Sequence, residues 1–292
     1  GEPIWPMVER AVPASEVPGE KLATTQPFPT KPPAFEMQGI SEDDLIDFTP
    51  ELRREALEVM TNYDMGPLFN PPIHAGNAAG KISAAMCPGD GGGANITAPP
   101  VADPTTGFLY VSSARACSWQ RVIPGEEADL RIAAPTGATF AAYANDRAGR
   151  PPRLASGLPY FKPPYSTITA FDMNTGEIAF QIPNGETPDR IRNNPALAGI
   201  DVGDTGTGNQ VPMVTTANML VYSDLDHDGT PLLYALDKQT GEELGRIEVP
   251  ARSRYGMSSW MHDGHQYIIL QTGGKLTAMA MPEAQAQGGA AH

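Results

Sequence analysis

One acidic stretch of the sequence has the residue types of a calcium-binding loop. Residues 224–229 read Asp-Leu-Asp-His-Asp-Gly, which places carboxylates at alternate positions, as at the start of an EF-hand loop. Such a loop needs a Glu at its twelfth position, where this chain has Ala235, and the flanking residues have the pattern of strands rather than helices. The stretch predicts an acidic hairpin turn, with a calcium loop as the alternative, and we assign no metal ligand in this sequence.

Two histidines and two cysteines are the other candidates for metal or redox chemistry. His262 and His265 flank Asp263-Gly264, which predicts the tip of a hairpin, with a metal-binding pair as the alternative. Cys87 and Cys117 are too few for a zinc site and form no Cys-x-x-Cys or c-type haem motif. They flank a Gly-rich turn and a strand, so an oxidising compartment would allow a disulfide. The alternative is two unrelated buried thiols.

The composition excludes several classes of function. The 292 residues include 20 basic and 34 acidic side chains, and the net charge of −14 repels phosphate backbones, which argues against a nucleic-acid partner. No apolar run is long enough to cross a membrane, and no Walker loop, Rossmann fingerprint or Gly-x-Ser-x-Gly motif is present. The 30 Gly and 30 Pro residues favour many short strands joined by turns.

The first part of the chain predicts a connection followed by a helix. Residues 1–40 are rich in proline and predict a long extended segment on a surface, because proline lacks an amide donor. Residues 41–64 predict a helical insertion, with Ser41 as one capping residue and Thr49-Pro50 as a second start signal. The predicted apolar face of the helix consists of Leu52, Ala56, Leu57, Met60 and Tyr63.

The rest of the chain has the pattern of short strands. The predicted strands are 108–112, 167–171, 213–214, 219–223, 232–236, 246–249, 267–270 and 275–281. Residues 183–210 hold many turn formers and predict a loop or insertion.

A repeated turn sequence is the most informative feature. Residues 170–176 and 235–241 share Ala-x-Asp-x-x-Thr-Gly, and residues 102–107 are a looser copy. In each copy the Asp carboxylate can accept amide hydrogens of the turn, and Gly supplies a positive φ. Three such hairpins in a chain of short strands predict a repeated sheet, for which a propeller is the usual closed arrangement.

These motifs resemble the pyrroloquinoline quinone (PQQ)-dependent dehydrogenases, eight-bladed β-propellers in which a Trp four residues after the motif glycine packs between blades. Here Phe180 and Gly245 stand at that position, which predicts weaker or differently filled contacts. Gly1 and Trp5 fit the tail of one more motif. Residues 24–33, 66–72 and 257–282 are also similar to the family. The resemblance implies an all-β fold consisting of the C-terminal blades of such a propeller, with blades over 84–282, a flexible tail over 283–292 and a missing N-terminal half as partner.

The resemblance also implies cofactor-binding residues. Residues 91–95 read Gly-Gly-Gly-Ala-Asn, which is similar to a Gly-Gly-x-Asn-Trp segment whose Asn lies beside the quinone, so Asn95 and the loop residue Gly93 are expected there. Ile96 stands in place of the Trp. Residues 208–212 resemble a second stretch near the cofactor, which makes Asn209 a further candidate. The family's catalytic Asp and Ca²⁺ ligands lie on earlier blades, so no catalytic residue is assigned here.

The implied function is part of a periplasmic PQQ-dependent dehydrogenase that oxidises an alcohol or sugar by hydride transfer to the quinone, with Ca²⁺ as second cofactor. A quinone or cytochrome would accept the electrons, and a missing N-terminal region could attach the enzyme to a membrane. These 292 residues alone are expected to be inactive. A noncatalytic propeller that binds or scaffolds is the alternative, favoured by Ile96, Phe180 and Gly245. An unrelated propeller hydrolase or lyase is disfavoured, because no clustered acid or nucleophile motif is present.

Overall fold

The computed structural model describes residues 1–127, 141–146 and 150–280, most of which lie in short strands or the turns between them. The strands are β1 (Met7–Ala11), β2 (Thr25–Pro29), β3 (Ile73–His74), β4 (Ala84–Met86), β5 (Val101–Asp103), β6 (Phe108–Ala114), β7 (Ser118–Pro124), β8 (Tyr143–Asn145), β9 (Ser166–Asp172), β10 (Glu177–Pro183), β11 (Met213–Thr215), β12 (Met219–Leu225), β13 (Pro231–Asp237), β14 (Glu243–Glu248), β15 (Met257–His262), β16 (His265–Thr272) and β17 (Lys275–Ala280). The α-helices are α1 (Pro50–Met60) and α2 (Asp189–Arg192), and shorter 3-10 turns span Glu42–Asp44, Gly125–Glu127 and Pro195–Leu197.

Three consecutive antiparallel sheets form the body of the chain. The first blade has the order β5-β6-β9-β10, the second β11-β12-β13-β14, and the third β15-β16-β17. One apolar core lies between the first two blades and includes Tyr110, Ile168 and Tyr234. A second core, with Leu233 and Leu270, joins the second blade to the third. The described residues thus form an open row of blades, part of a β-propeller, as the repeat predicts.

The three repeated turns have the predicted geometry. Asp103, Asp172 and Asp237 each accept an amide hydrogen two residues on, at N···O distances of 3.0, 2.9 and 2.8 Å. The motif glycines Gly107, Gly176 and Gly241 have φ values of 77°, 71° and 77°. Each turn joins neighbouring antiparallel strands of one blade. The local chemistry of the repeat is therefore confirmed.

Aromatic rings lie against two of these glycines. A Cβ added to Gly241 would lie 2.8 Å from the ring of Phe180, which comes from the preceding blade. Trp5 lies against Gly176 in the same way, at 2.7 Å. No heavy atom lies within 4 Å of such a Cβ at Gly245. Phe180 thus fills the space predicted for the family's Trp between two blades.

The proline-rich residues 1–40 contain a hairpin that the sequence did not predict. β1 pairs with β2 alone, with Val8 opposite Phe28. Pro27 and Pro29 lie within β2, which tolerates them because an edge strand needs only some of its amides for pairing. This stretch is therefore extended, but part of it is a two-stranded sheet.

Residues 41–64 form a short turn and then a helix, not one continuous helix. The backbone N–H of Ser41 donates to the Asp44 carboxylate at 2.8 Å in the turn Glu42–Asp44. Helix α1 starts again at Thr49, whose hydroxyl accepts from Leu52 N at 3.2 Å. Pro50 is the reason for the break, because the residue before a proline avoids the helical region, and Thr49 is extended at φ −138° and ψ 155°. The predicted face is buried at Leu52, Ala56, Met60 and Tyr63, with Leu57 packed against it.

A long excursion, residues 115–165, separates the paired strands β6 and β9. Ala114 pairs with Ser166, so the excursion leaves and re-enters the first blade at one point. Its strand β7 pairs with β4, β8 and, in parallel, β3, and its apolar side chains share a core with α1. Within the span predicted as blades, the blade sheets begin only at Val101, and the excursion forms a separate sheet. The predicted tail 283–292 lies outside the described residues.

Candidate functional site

The Gly-rich loop, residues 88–95, is fastened to the excursion at several points. Cys87 and Cys117 form a disulfide immediately before it. Gly89 N donates to Ala116 O at 2.9 Å, and a Cβ at Gly92 would lie 2.4 Å from the same carbonyl oxygen. Only glycine allows this approach, so the loop packs directly on the backbone of the excursion.

Asn95, at the end of the Gly-rich loop, uses the oxygen but not the nitrogen of its side-chain amide in hydrogen bonds with described residues. The Asn95 Oδ1 accepts from Thr97 N at 3.2 Å and so closes a turn. The Asn95 Nδ2 has no hydrogen-bond partner in the part of the chain that the structure describes. Ile96 beside it is 93% exposed. The half-buried Asn95 can therefore donate a hydrogen bond to a carbonyl-type oxygen that approaches beside the exposed aliphatic side chain of Ile96.

A cleft of about 1000 Å³ opens beside Gly93 and Ala94. Its walls are mainly aromatic and aliphatic, with Phe35, Phe171 and Val111 among them. Gly93 itself is buried at φ +66° and pairs with Ala114. Asn95 follows Ala94 in the chain but is not among the residues that line this cleft, whose apolar walls fit the face of a flat molecule.

Asn209 lines a separate cavity of about 390 Å³, and Asn95 is not among the residues of that cavity. Its Nδ2 donates to Asp224 Oδ1 at 2.9 Å and to Thr207 Oγ1 at 3.2 Å. Those bonds use both amide hydrogens, so Asn209 retains only an acceptor, its Oδ1. Its assignment to the cofactor stays a prediction.

Asp224 is the centre of a buried polar cluster that the sequence reasoning missed. Its carboxylate has no exposed surface and also accepts from Asn184 Nδ2 at 3.1 Å and Arg252 Nη1 at 3.2 Å. Burial raises the pKa of Asp224, although hydrogen bonds from Thr207 and from Arg252 oppose the rise. The signal was available, because Asp224 shares the inward face of β12 with Tyr222 and Leu220.

The acidic stretch 224–229 is a hairpin turn, as predicted. Asp226 N donates to Thr230 O at 2.7 Å, between β12 and β13. Glu186, Asp226 and His227 bring ligand atoms within 4.8 Å of one another. Arg246 Nη1 already lies 2.7 Å from Glu186 Oε1 and 3.5 Å from Asp226 Oδ1. Because the guanidinium supplies the positive charge, this cluster does not fit Ca²⁺.

Two further predictions can be compared with the described residues. His262 and His265 pair across the tip of the β15–β16 hairpin, where Asp263 and Gly264 have positive φ, so the predicted turn is confirmed. The helices of the described ranges include none with the length and apolarity needed to cross a bilayer.

Comparisons with known proteins extend over nearly the whole chain. The profile of the PQQ family, described as the glucose/ethanol/alcohol dehydrogenase β-propeller domain, matches residues 1–268. The chain is 28% identical to the quinate/shikimate dehydrogenase (quinone) of Acinetobacter baylyi over 94% of its own length and 34% of the relative. It is 26% identical to the glycerol dehydrogenase large subunit of Gluconobacter oxydans, covering 94% of this chain and 38% of that one. The chain thus spans about a third of the length of the curated relatives it matches.

Among solved structures, the quinohemoprotein alcohol dehydrogenase of Comamonas testosteroni aligns with 72% of this chain and 28% of its own, at 18% identity and a TM-score of 0.41. The family assignment does not depend on that alignment. It depends on the profile match, which includes all three repeated turns and the Gly-rich loop. The chain belongs to the PQQ-dependent dehydrogenases and forms part of their β-propeller domain.

Proposed function

We propose that this chain forms one wall of the active site of a PQQ-dependent dehydrogenase that oxidises an alcohol, polyol or sugar hydroxyl. The substrate would lose a hydride and its hydroxyl proton and become a carbonyl compound. PQQ, when bound, supplies the ortho-quinone that takes up the two electrons. A quinone or cytochrome would then receive them from the protein.

The observation that carries the proposal is the unpaired Nδ2 of Asn95 at the end of a loop fixed by the Cys87–Cys117 disulfide. A donor held in place before the reaction can stabilise negative charge that develops on a quinone oxygen, without first having to reorient. Gly92 lets the loop backbone pack against the carbonyl of Ala116, Gly93 supplies a positive φ of 66°, and Asn95 would hold the cofactor through its amide hydrogen.

The proposal includes Ca²⁺ and a periplasmic location. Ca²⁺ would polarise the quinone and would be held outside the residues described, because the acidic cluster near Glu186 and Asp226 does not fit it. A disulfide is compatible with an oxidising compartment such as the periplasm.

The relatives suggest which substrates to try. Their names include quinate, shikimate and glycerol, all of which carry secondary hydroxyl groups. We therefore propose a polyhydroxylated substrate for this chain.

The test is dye-linked oxidation by the full-length protein with added PQQ and Ca²⁺, using quinate, shikimate, glycerol, ethanol and glucose. We expect quinone-dependent dye reduction with at least one of these substrates. Asn95→Ala should lower both quinone affinity and turnover by about ten- to a hundredfold. The control is Asn62→Ala, which removes an exposed amide that bonds Val59 O at 3.2 Å. Turnover unaffected by Asn95→Ala would contradict the assigned role.

The second candidate function is a propeller that binds a partner without catalysis. The observation in its favour is Ile96, which is 93% exposed where the resemblance leads one to expect a Trp to stack on the cofactor. Absence of PQQ binding by the full-length protein, measured by quenching of tryptophan fluorescence, would support this alternative and overturn the dehydrogenase proposal.

A further inference from the structure

We propose that Gln210 is a positioning residue for the Gly-rich loop, and that it acts by holding the carbonyl group of Gly93. This inference rests on the proposed function, since it names a residue that prepares the same loop for the quinone. Gln210 would not touch the reacting atoms. Its effect would pass through the backbone to Asn95, two residues further along.

The contact is direct and joins two parts of the chain far apart in sequence. Gln210 Nε2 donates to Gly93 O at 2.6 Å and lies 3.5 Å from Gly91 O. The side chain is half-buried, so the hydrogen bond is partly shielded from water. A single amide thus bridges two carbonyl groups of the Gly-rich loop.

The loop depends on such a bridge because its centre has no side chains to pack. Gly91 and Gly93 have φ values of 79° and 66°, and no heavy atom would lie within 4 Å of a Cβ at Gly91. Glycine keeps the most conformational freedom in the unfolded and mobile states, so a glycine segment is costly to order. Besides the contact with Gln210, Gly93 O accepts only the longer bond from Ala114 N, at 3.2 Å, among the described residues.

Gln210 is itself held firmly on both sides. Its successor Val211 donates its N–H to Ser112 Oγ at 2.8 Å; both residues are fully buried, and Val211 belongs to the core between the first two blades. Its predecessor Asn209 is bonded to the buried carboxylate of Asp224 at 2.9 Å. The segment before β11 therefore forms a rigid base from which Gln210 can fix the loop.

The experiment compares Gln210→Met with the wild type in the full-length protein. Methionine has similar length and volume but no donor, so the substitution removes the hydrogen bond with little change in packing. We expect PQQ affinity, measured by tryptophan fluorescence, to fall about five- to tenfold, the size of effect that one hydrogen bond can give. Gln210→Lys restores a donor and should recover much of the affinity.

The matched control is Gln266→Met. Gln266 is also half-buried, and its Nε2 donates to Ser259 Oγ at 3.0 Å between two strands of the third blade, but it makes no bond to the Gly-rich loop and does not line the cleft beside it. We expect this variant to leave PQQ affinity unchanged. An equal loss of affinity in both variants would indicate general destabilisation and would overturn the proposal.

A second readout needs no quinone. Amide hydrogen exchange of the loop should become faster in Gln210→Met, above all at Gly93, whose N–H donates to Ala114 O at 2.8 Å. Unchanged exchange and unchanged affinity in this variant would refute the role of Gln210. If the wild type fails to bind PQQ, the proposed function fails, and loop exchange still decides whether Gln210 orders the loop.

Discussion

At the scale of single residues, Asp103 differs from the other two repeated turn aspartates because it is paired with a lysine. Lys238 Nζ lies 2.7 Å from Asp103 Oδ2, and their side chains are 8% and 4% exposed. Lys238 belongs to the turn of the second blade, and its carbonyl accepts from the hydroxyl of Tyr110 at 2.6 Å. Burial acts to raise the pKa of Asp103, but hydrogen bonds from Lys238 and from Thr105 together hold that pKa well below its usual range. The buried ion pair of Asp103 and Lys238 therefore joins the first blade to the second.

Replacing Asp103 should cost more than replacing an equivalent turn aspartate. Asp103→Asn leaves Lys238 buried and unpaired, so we expect the free energy of unfolding to fall by about 3–5 kcal/mol. Asp237→Asn loses only the solvent-screened hydrogen bonds of its turn, so its loss of unfolding free energy should be much smaller. Urea denaturation at neutral pH measures both. Equal losses would show that the ion pair contributes nothing beyond the turn.

The same residue predicts a pH dependence. Because the folded pKa of Asp103 is depressed, its contribution to stability is fully present above the unfolded pKa of about 3.9 and is lost as the pH falls through the folded pKa. The difference in unfolding free energy between wild type and Asp103→Asn should thus shrink progressively below about pH 4. A difference that stays constant from pH 7 to pH 3 would contradict this.

Sequence reasoning at this scale identified residues whose role follows from local chemistry. The turn aspartates were predicted because each bonds amides only two or three residues away. Gln210 was not predicted, because its partner Gly93 is 117 residues away in sequence and residues 183–210 have no strand or helix periodicity. Asn209 and Gln210 are neighbours with different partners, and no pattern in the sequence shows which of them reaches the Gly-rich loop.

At the scale of elements, blades dock through an aromatic ring placed on the glycine of the next turn. Phe180 in β10 lies on Gly241, which joins β13 to β14. The ring is accommodated because glycine has no Cβ and also because it supplies the positive φ of the turn. One glycine therefore satisfies a backbone requirement and a packing requirement together.

The cost of backbone strain and the cost of overlap with the Phe180 ring can be measured separately by comparing Gly241 with Gly264. Gly241→Ala introduces both an unfavourable φ and an overlap with Phe180, and should cost about 2–4 kcal/mol. Gly264→Ala has the same backbone strain, at φ 79°, but nothing within 4 Å, so about 1 kcal/mol is expected. Chemical denaturation of both variants gives the difference. With Phe180→Ala added, the Gly241→Ala cost should fall to that of Gly264→Ala, and failure to do so would exclude the ring as its cause.

The elements predicted from the sequence are those stabilised by nearby pairing. Within each blade the strands follow one another through short turns, apart from the excursion, and the sequence patterns located most of them. The β1–β2 hairpin was missed because its prolines argue against strands. Strands β3 and β4 were missed because they are short, and β7 was missed because its partners β3 and β4 are distant in sequence. Helix α1 was located from its Thr49-Pro50 start.

At the scale of the whole molecule, the third blade is apolar on both faces but, within the described residues, is packed on only one. Ile268 and Leu270 lie in the core shared with the second blade. On the opposite face, Trp260 stacks on Tyr267 at 5.3 Å and is 40% exposed, and Leu276 is 72% exposed. An exposed apolar sheet face of this kind favours association.

We therefore expect a protein of these 292 residues alone to self-associate, more strongly as salt screens the net charge of −14. The double variant Trp260→Lys, Leu276→Lys should shift light-scattering masses toward 31.0 kDa. The control Ile4→Lys changes an 85% exposed apolar residue elsewhere and should not. A monodisperse 31.0 kDa species for the unmodified chain at high salt would refute the expectation.

The excursion between β6 and β9 affects how the sequence of such a protein can change during evolution. The excursion begins after Ala114 and ends before Ser166, and these two residues pair with each other. In the first blade it therefore takes the place of a single hairpin loop of unusual length. The entropy cost of closing a loop rises only with the logarithm of its length, about 0.6 kcal/mol per doubling. Insertions and deletions in the excursion therefore cost the first blade little stability, while the Cys87–Cys117 disulfide connects the excursion to the Gly-rich loop. Variation in the excursion can thus alter the surroundings of Asn95 while the propeller framework is inherited unchanged.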